Sequence, residues 1–148
     1  MATSFDSATF ASSVTREEDG KEGSEAMALL MWKARLDNGS TLFNLDFSSF
    51  PQLLSPDLFN NSLYGTIPSH IGSLSRLIFL SLSINHLTGS IPASIANLSN
   101  LISLHLYGNQ LSGPIPQEIG TLASLVDLKL SGNSLTSTIP VSIRKLGN

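Results

Sequence analysis

The stretch that decides the architecture runs Leu77-Ile-Phe-Leu80-Ser-Leu82-Ser-Ile-Asn85-His-Leu87-Thr-Gly89-Ser-Ile91-Pro92-Ala-Ser-Ile95-Ala-Asn-Leu98-Ser-Asn100. Leu80 and Leu82 flank one polar residue, the period of a strand with a single buried face. The same string then returns. Asn61, Asn85, Asn109 and Asn133 stand 24 residues apart, and Leu63, Leu87, Leu111 and Leu135 keep that spacing. So do Ile67, Ile91, Ile115 and Ile139, each followed by a proline (Pro68, Pro92, Pro116, Pro140). Ile71, Ile95, Ile119 and Ile143, then Leu74, Leu98, Leu122 and Leu146, complete the columns. A repeat of this length means stacked units, each burying its apolar face on the next.

Each column has a physical task. Leu80-Ser-Leu82, Leu104-His-Leu106 and Leu128-Lys-Leu130 predict short strands that pair between coils into a parallel sheet. The other leucines and isoleucines fill the coil interior, at about 1.5–3 kcal/mol per fully buried side chain. The Asn column falls where the chain leaves the strand, which predicts a ladder of buried amides bonded to backbone groups freed by the turn. Gly65, Gly89 and Gly113 permit backbone angles closed to other residues. The prolines fix φ where the chain bends around the convex side. Four repeats are expected, at 50–73, 74–97, 98–121 and 122–145, with a partial repeat over 40–49 and no C-terminal cap. An uncapped last coil invites fraying or self-association. Three positions break the pattern. Pro56 stands in the Leu80 column and removes a ladder donor, Ser137 replaces the repeat glycine, and Arg144 shares a column with Gly72 and Gly120.

Outside the repeats the composition changes. Residues 1–23 hold Arg16, Glu17, Glu18, Asp19, Lys21 and Glu22 among Ser, Thr and Gly, and read as a disordered tail. They lack the basic and apolar regions of a secretory signal. Residues 24–39 predict a helix capped by Ser24, with Ala26, Leu29, Leu30, Lys33 and Leu36 at helical spacing and Gly39 closing it. Such a helix is expected to cover the apolar edge of the first coil.

Composition and motif searches exclude several functions. Of the 148 residues only 13% are charged, and the net charge is −3, which argues against a nucleic-acid backbone binder. There is no cysteine for a disulfide or thiolate site and no run long enough to span a membrane. His70, His86 and His105 fall in different columns without a carboxylate or second histidine at ligand spacing, so no metal site is expected. No phosphate-binding glycine loop, kinase motif or Ser-His-acid arrangement is present. The chain reads as non-enzymatic, with no cofactor.

What remains is recognition. The strand residues pointing away from the core line the concave face, and the binding candidates there are Phe79, Ser81, Ser83, His105, Tyr107, Asp127 and Lys129. Exposed aromatics among polar neighbours suit a peptide-binding groove, although on a sheet they also stabilise cross-strand neighbours. Sequons at Asn38, Asn60 and Asn97 are glycosylation candidates if the chain is exported.

The Gly-x-Ile-Pro element and the 24-residue period resemble the plant-specific class of leucine-rich repeat, the extracellular part of plant receptor-like kinases. Ala28-Leu-Leu-Met-Trp-Lys33 with Leu36-Asp-Asn38 resembles the N-terminal cap of those ectodomains. Asp46-Phe-Ser-Ser-Phe-Pro51 and Asn60-Asn-Ser-Leu-Tyr-Gly-Thr-Ile-Pro68 resemble the male-discoverer-interacting receptor-like kinase subgroup. The resemblance implies an α/β leucine-rich-repeat solenoid with a short parallel sheet on its concave face. It also implies a peptide or another leucine-rich-repeat ectodomain as partner, and a place at the cell surface. The family's cysteine-pair cap, signal peptide, longer array, membrane span and kinase are not in this sequence, which reads as a truncated product of such a gene. The alternatives are a polygalacturonase-inhibitor-like binder of a microbial enzyme, or a gene product without independent activity.

Overall fold

In a computed structural model, residues 51–136 and 138–145 are described. The expected tail, the capping helix, the partial repeat and the Asn38 sequon lie outside them. Among these residues seven short strands and four 3₁₀ turns wind into a solenoid. β2 (Phe79–Ser81), β4 (Ser103–His105) and β6 (Asp127–Lys129) pair in parallel as one sheet. β1 (Tyr64–Thr66), β3 (His86–Gly89), β5 (Gln110–Pro114) and β7 (Ser134–Thr136) form a second parallel sheet. The repeat pattern does not predict the second sheet, since only three to five residues per coil belong to it. Each coil then closes through a 3₁₀ turn, at Ser69–Ser73, Ala93–Asn97, Gln117–Thr121 and Val141–Lys145.

The repeated columns explain these elements. Pro68 and Pro92 precede their turns with φ of −75° and −71°, values the pyrrolidine ring enforces. The turn closes as Leu74 N–H donates to the Ile71 carbonyl, 3.1 Å away, and Leu98 repeats the bond on Ile95 at 3.2 Å. Between the sheets lies one continuous core that includes Leu58, Leu63, Ile71, Leu77, Leu80, Leu82, Ile95, Leu104 and Ile119. Burial weakens towards the last coil, where Leu128, Leu130, Leu135 and Ile143 are only partly covered. In the first described coil, Pro56 has no N–H, and a single bridge from Asp57 to Ser81 stands where later coils have a strand.

The two sheets do not share a register. The first pairs residues 24 apart, Phe79 with Ser103 and Ser103 with Asp127. The second pairs residues 22 apart, Tyr64 with His86 and Ser112 with Ser134. The slip of two residues falls between Asn85, whose N–H still donates to the Gly108 carbonyl, and His86, which pairs with Tyr64. Asn85 bridges it: its amide nitrogen donates to the carbonyls of Leu58, Leu82 and Ser83, and its Oδ1 accepts the Leu63 N–H at 3.0 Å. The side chain supplies bonds that the displaced backbone cannot. Asn109 makes the same set with Leu82, Leu106, Tyr107 and Leu87.

The residue before each of these asparagines has a left-handed backbone: Asn60 at φ 52°, Ile84 at 51°, Gly108 at 66° and Gly132 at 64°. Glycine and asparagine tolerate that region. Ile84 is β-branched and carries strain of about 1–2 kcal/mol. On the opposite side, Gly72 and Gly120 let coils approach closely. A Cβ on either would collide with the backbone of Ser94 or Ser142 in the next coil.

Candidate functional site

The outer face of the first sheet is built by three columns. Asp57, Ser81, His105 and Lys129 form the middle one, since each pairs with the next across coils. Phe79, Ser103 and Asp127 lie on one side of it. Phe59, Ser83, Tyr107 and Ser131 lie on the other, at successive repeat positions.

His105 is the centre of a cluster. Its Nε2 lies 2.7 Å from Asp127 Oδ2, and Lys129 Nζ lies 3.3 Å from the same oxygen. The hydrogen bond from His105 holds the Asp127 carboxyl below the ordinary carboxylate range. Lys129 adds to this and desolvation opposes it. The Phe79 ring meets His105 edge to face, with centroids 5.3 Å apart and planes at 85°. Five of the seven residues read from the sequence as binding candidates therefore present an aromatic and charged face: Phe79, His105, Tyr107, Asp127 and Lys129.

The other two do not reach the surface. Ser81 is 3% exposed and Ser83 is 0% exposed. Both are short side chains flanked by longer ones in the coils before and after, Asp57 and His105 for Ser81, Phe59 and Tyr107 for Ser83. Strand alternation points them outward, but their neighbours close over them. Phe59 and Tyr107 meet across two coils, their ring centroids 6.2 Å apart. The signal in the sequence was an aromatic, a serine and an aromatic in one column.

Beside this face runs a ridge of exposed β-branched side chains, Ile78, Ile102 and Val126. Asn60 and Asn97, the sequon asparagines within the described residues, are exposed. Asn61 donates to the carbonyls of Leu58 and Phe59, and Asn133 to those of Leu106, Leu130 and Ser131. Among the described residues no cluster of three or more His, Asp or Glu is placed to hold a metal ion. No helix among them is long and apolar enough to cross a membrane.

Comparison with known proteins agrees with this geometry. The Leucine Rich Repeat family pattern matches residues 76–98, 100–122 and 124–146. A chain of the BIR3–SERK2 complex from Arabidopsis thaliana is 44% identical with a TM-score of 0.61, over 65% of this chain and 52% of that one. The Arabidopsis receptor kinase HAESA ectodomain, solved with an N-terminally extended IDA peptide hormone, is 42% identical with a TM-score of 0.62, over 66% of this chain and 17% of that one. A plant ice-binding protein is 36% identical with a TM-score of 0.66, over 70% of this chain and 34% of that one. The chain thus spans about half or less of the length of these structures. No curated sequence is similar enough to match it. The repeats, the paired parallel sheets and these neighbours together make the chain a leucine-rich-repeat solenoid similar to the ectodomains of plant receptor kinases.

Proposed function

We propose that the chain is a non-catalytic recognition module that binds a peptide or another leucine-rich-repeat ectodomain at the plant cell surface, through the outer face of its first sheet. The observation that carries this reading is the fixed cluster of Phe79, His105, Asp127 and Lys129 beside Tyr107 on that face. Aromatic side chains have few rotatable bonds, and next to charges already paired they lose little entropy on binding. The likeness to a receptor solved with a peptide hormone and to a complex of two receptor-type proteins supports the partner classes. Export of the chain, and glycosylation at Asn60 or Asn97, belong to the same proposal. The test is biolayer interferometry of the purified chain against a panel of secreted plant ectodomains and peptides. A partner whose affinity falls about tenfold on Tyr107→Ala or His105→Ala is expected, about 1.4 kcal/mol. Binding indifferent to both substitutions discards this face.

A second reading rests on the second sheet. Thr66, Thr88, Ser112, Ser134 and Thr136 are exposed there, and none of its strands carries Lys, Arg, Asp or Glu. A hydroxyl-bearing face without acidic or basic side chains suits an ordered water surface, and one structural neighbour is an ice-binding protein. Inhibition of ice recrystallisation, abolished by Thr88→Lys, is the expected result. Crystals that grow at the rate seen with an inert protein dismiss it.

A further inference from the structure

Ser83 is fully buried, and its Oγ has no hydrogen-bond partner among the described residues. A buried hydroxyl without a partner carries a desolvation penalty, and such groups are uncommon in native folds. Phe59 stands one coil before it in the same column and Tyr107 one coil after. Strands lie about 4.8 Å apart, so upright side chains two coils apart would be separated by roughly 9–10 Å. The ring centroids are 6.2 Å apart, with planes tilted by 46°. Both rings therefore lean inward over the hydroxyl.

The large side chains beside it are the two rings and Ile84. Ile84, next along the chain, is exposed in its strained left-handed conformation. Phe59 is exposed on its outer side, and Asp57, the nearest carboxylate along the chain, accepts the Phe59 N–H at 3.0 Å. Side chains at a surface rotate in picoseconds to nanoseconds, so the rings can part without unfolding the coil.

We infer that Phe59 and Tyr107 form a clasp over Ser83 that parts to admit one bulky apolar side chain of an extended peptide, while an adjacent peptide carbonyl accepts a hydrogen bond from the Ser83 hydroxyl. This rests on the reading of the first sheet as a peptide-binding face, and it adds what that face selects. The incoming side chain replaces the contact between the rings, and the orphaned hydroxyl gains its acceptor. A peptide with glycine at the same place offers nothing to the rings and does not open them.

The test is an NMR titration of the full chain with the capped pentapeptide acetyl-Ser-Gly-Leu-Gly-Ser-amide and with its analogue carrying Gly in place of Leu. The Leu peptide is expected to shift the ring signals of Phe59 and Tyr107 and the amide of Ser83, and the Gly analogue is not. Ser83→Ala should weaken the Leu peptide about fivefold or more, the loss of one hydrogen bond. Its melting temperature should be unchanged or raised, because the substitution removes an unpaired group. Phe59→Ala should abolish the selectivity for Leu over Gly. Shifts confined to Phe79, His105 and Asp127 would overturn the clasp and leave the peptide-binding face standing. Equal affinity in wild type and Ser83→Ala would overturn the role of the hydroxyl. Absence of shifts anywhere on the sheet would overturn the clasp and the reading beneath it.

Discussion

The coil that carries Asn109 and the coil that carries Asn133 have nearly the same sequence pattern and different surroundings. Asn109 is buried and Asn133 is half-buried, although both amides donate to the equivalent three carbonyls. Leu104 and Leu106 are fully buried, while their counterparts Leu128 and Leu130 are only partly covered. The bonds are thus set by the repeat and the burial by the neighbour. In a stack of this kind stability resides largely between coils, so the same residue type has a different energetic weight in different coils.

Substitution tests that comparison directly. Leu104→Ala should destabilise the fold by about 2–5 kcal/mol, the usual cost of emptying a packed leucine site. Leu128→Ala should cost visibly less, and equal shifts of the urea midpoint for the two would break the argument. Asn109→Ala takes the acceptor from the buried Leu87 N–H and leaves the Leu82 and Leu106 carbonyls only the donors supplied by Asn85 and Asn133, at about 1–3 kcal/mol. Asn133→Ala exposes the corresponding groups to water and should fall below it in the same titration.

Ile84→Asn runs the other way. It relieves a β-branched residue in a left-handed backbone and should stabilise the chain by up to about 1 kcal/mol, read as a rise in melting temperature. An unchanged or lower temperature would mean that the Ile84 side chain holds the coil by contacts outweighing its strain.

The smallest effect is electrostatic. The Asp127 carboxyl is held below its ordinary range, so its contribution is complete above the unfolded carboxylate value of about 3.9 and is lost as pH falls through the folded value. Asp127 is well exposed, and solvent screens the pair. Stability of wild type and Asp127→Asn should therefore differ slightly at pH 7 and converge in acid. A gap that persists at pH 2 would point to packing rather than charge.

The columns made the fold readable, because a residue that recurs every 24 positions must face the same way in each coil. The Asn and Leu columns, the strands of the first sheet and the proline-led turns follow from that alone. The face was less readable. Ser81 and Ser83 point outward by alternation, yet their exposure is decided by Asp57, Phe59, His105 and Tyr107 in the flanking coils. The second sheet is not legible in the repeat because Leu87-Thr88-Gly89 reads equally well as a turn. The slip between the sheets leaves no mark in a single repeat, for it exists only between one coil and the next.

That slip gives the molecule two different alphabets. Along the first sheet, a straight line drawn across the coils meets the same letter of the repeat each time. Along the second, the line meets Thr66, Thr88 and Gln110, which are three different letters. Evolution of a single repeat position therefore paints a stripe on one wall and a staircase on the other, and only the first wall can be edited column by column for a linear guest.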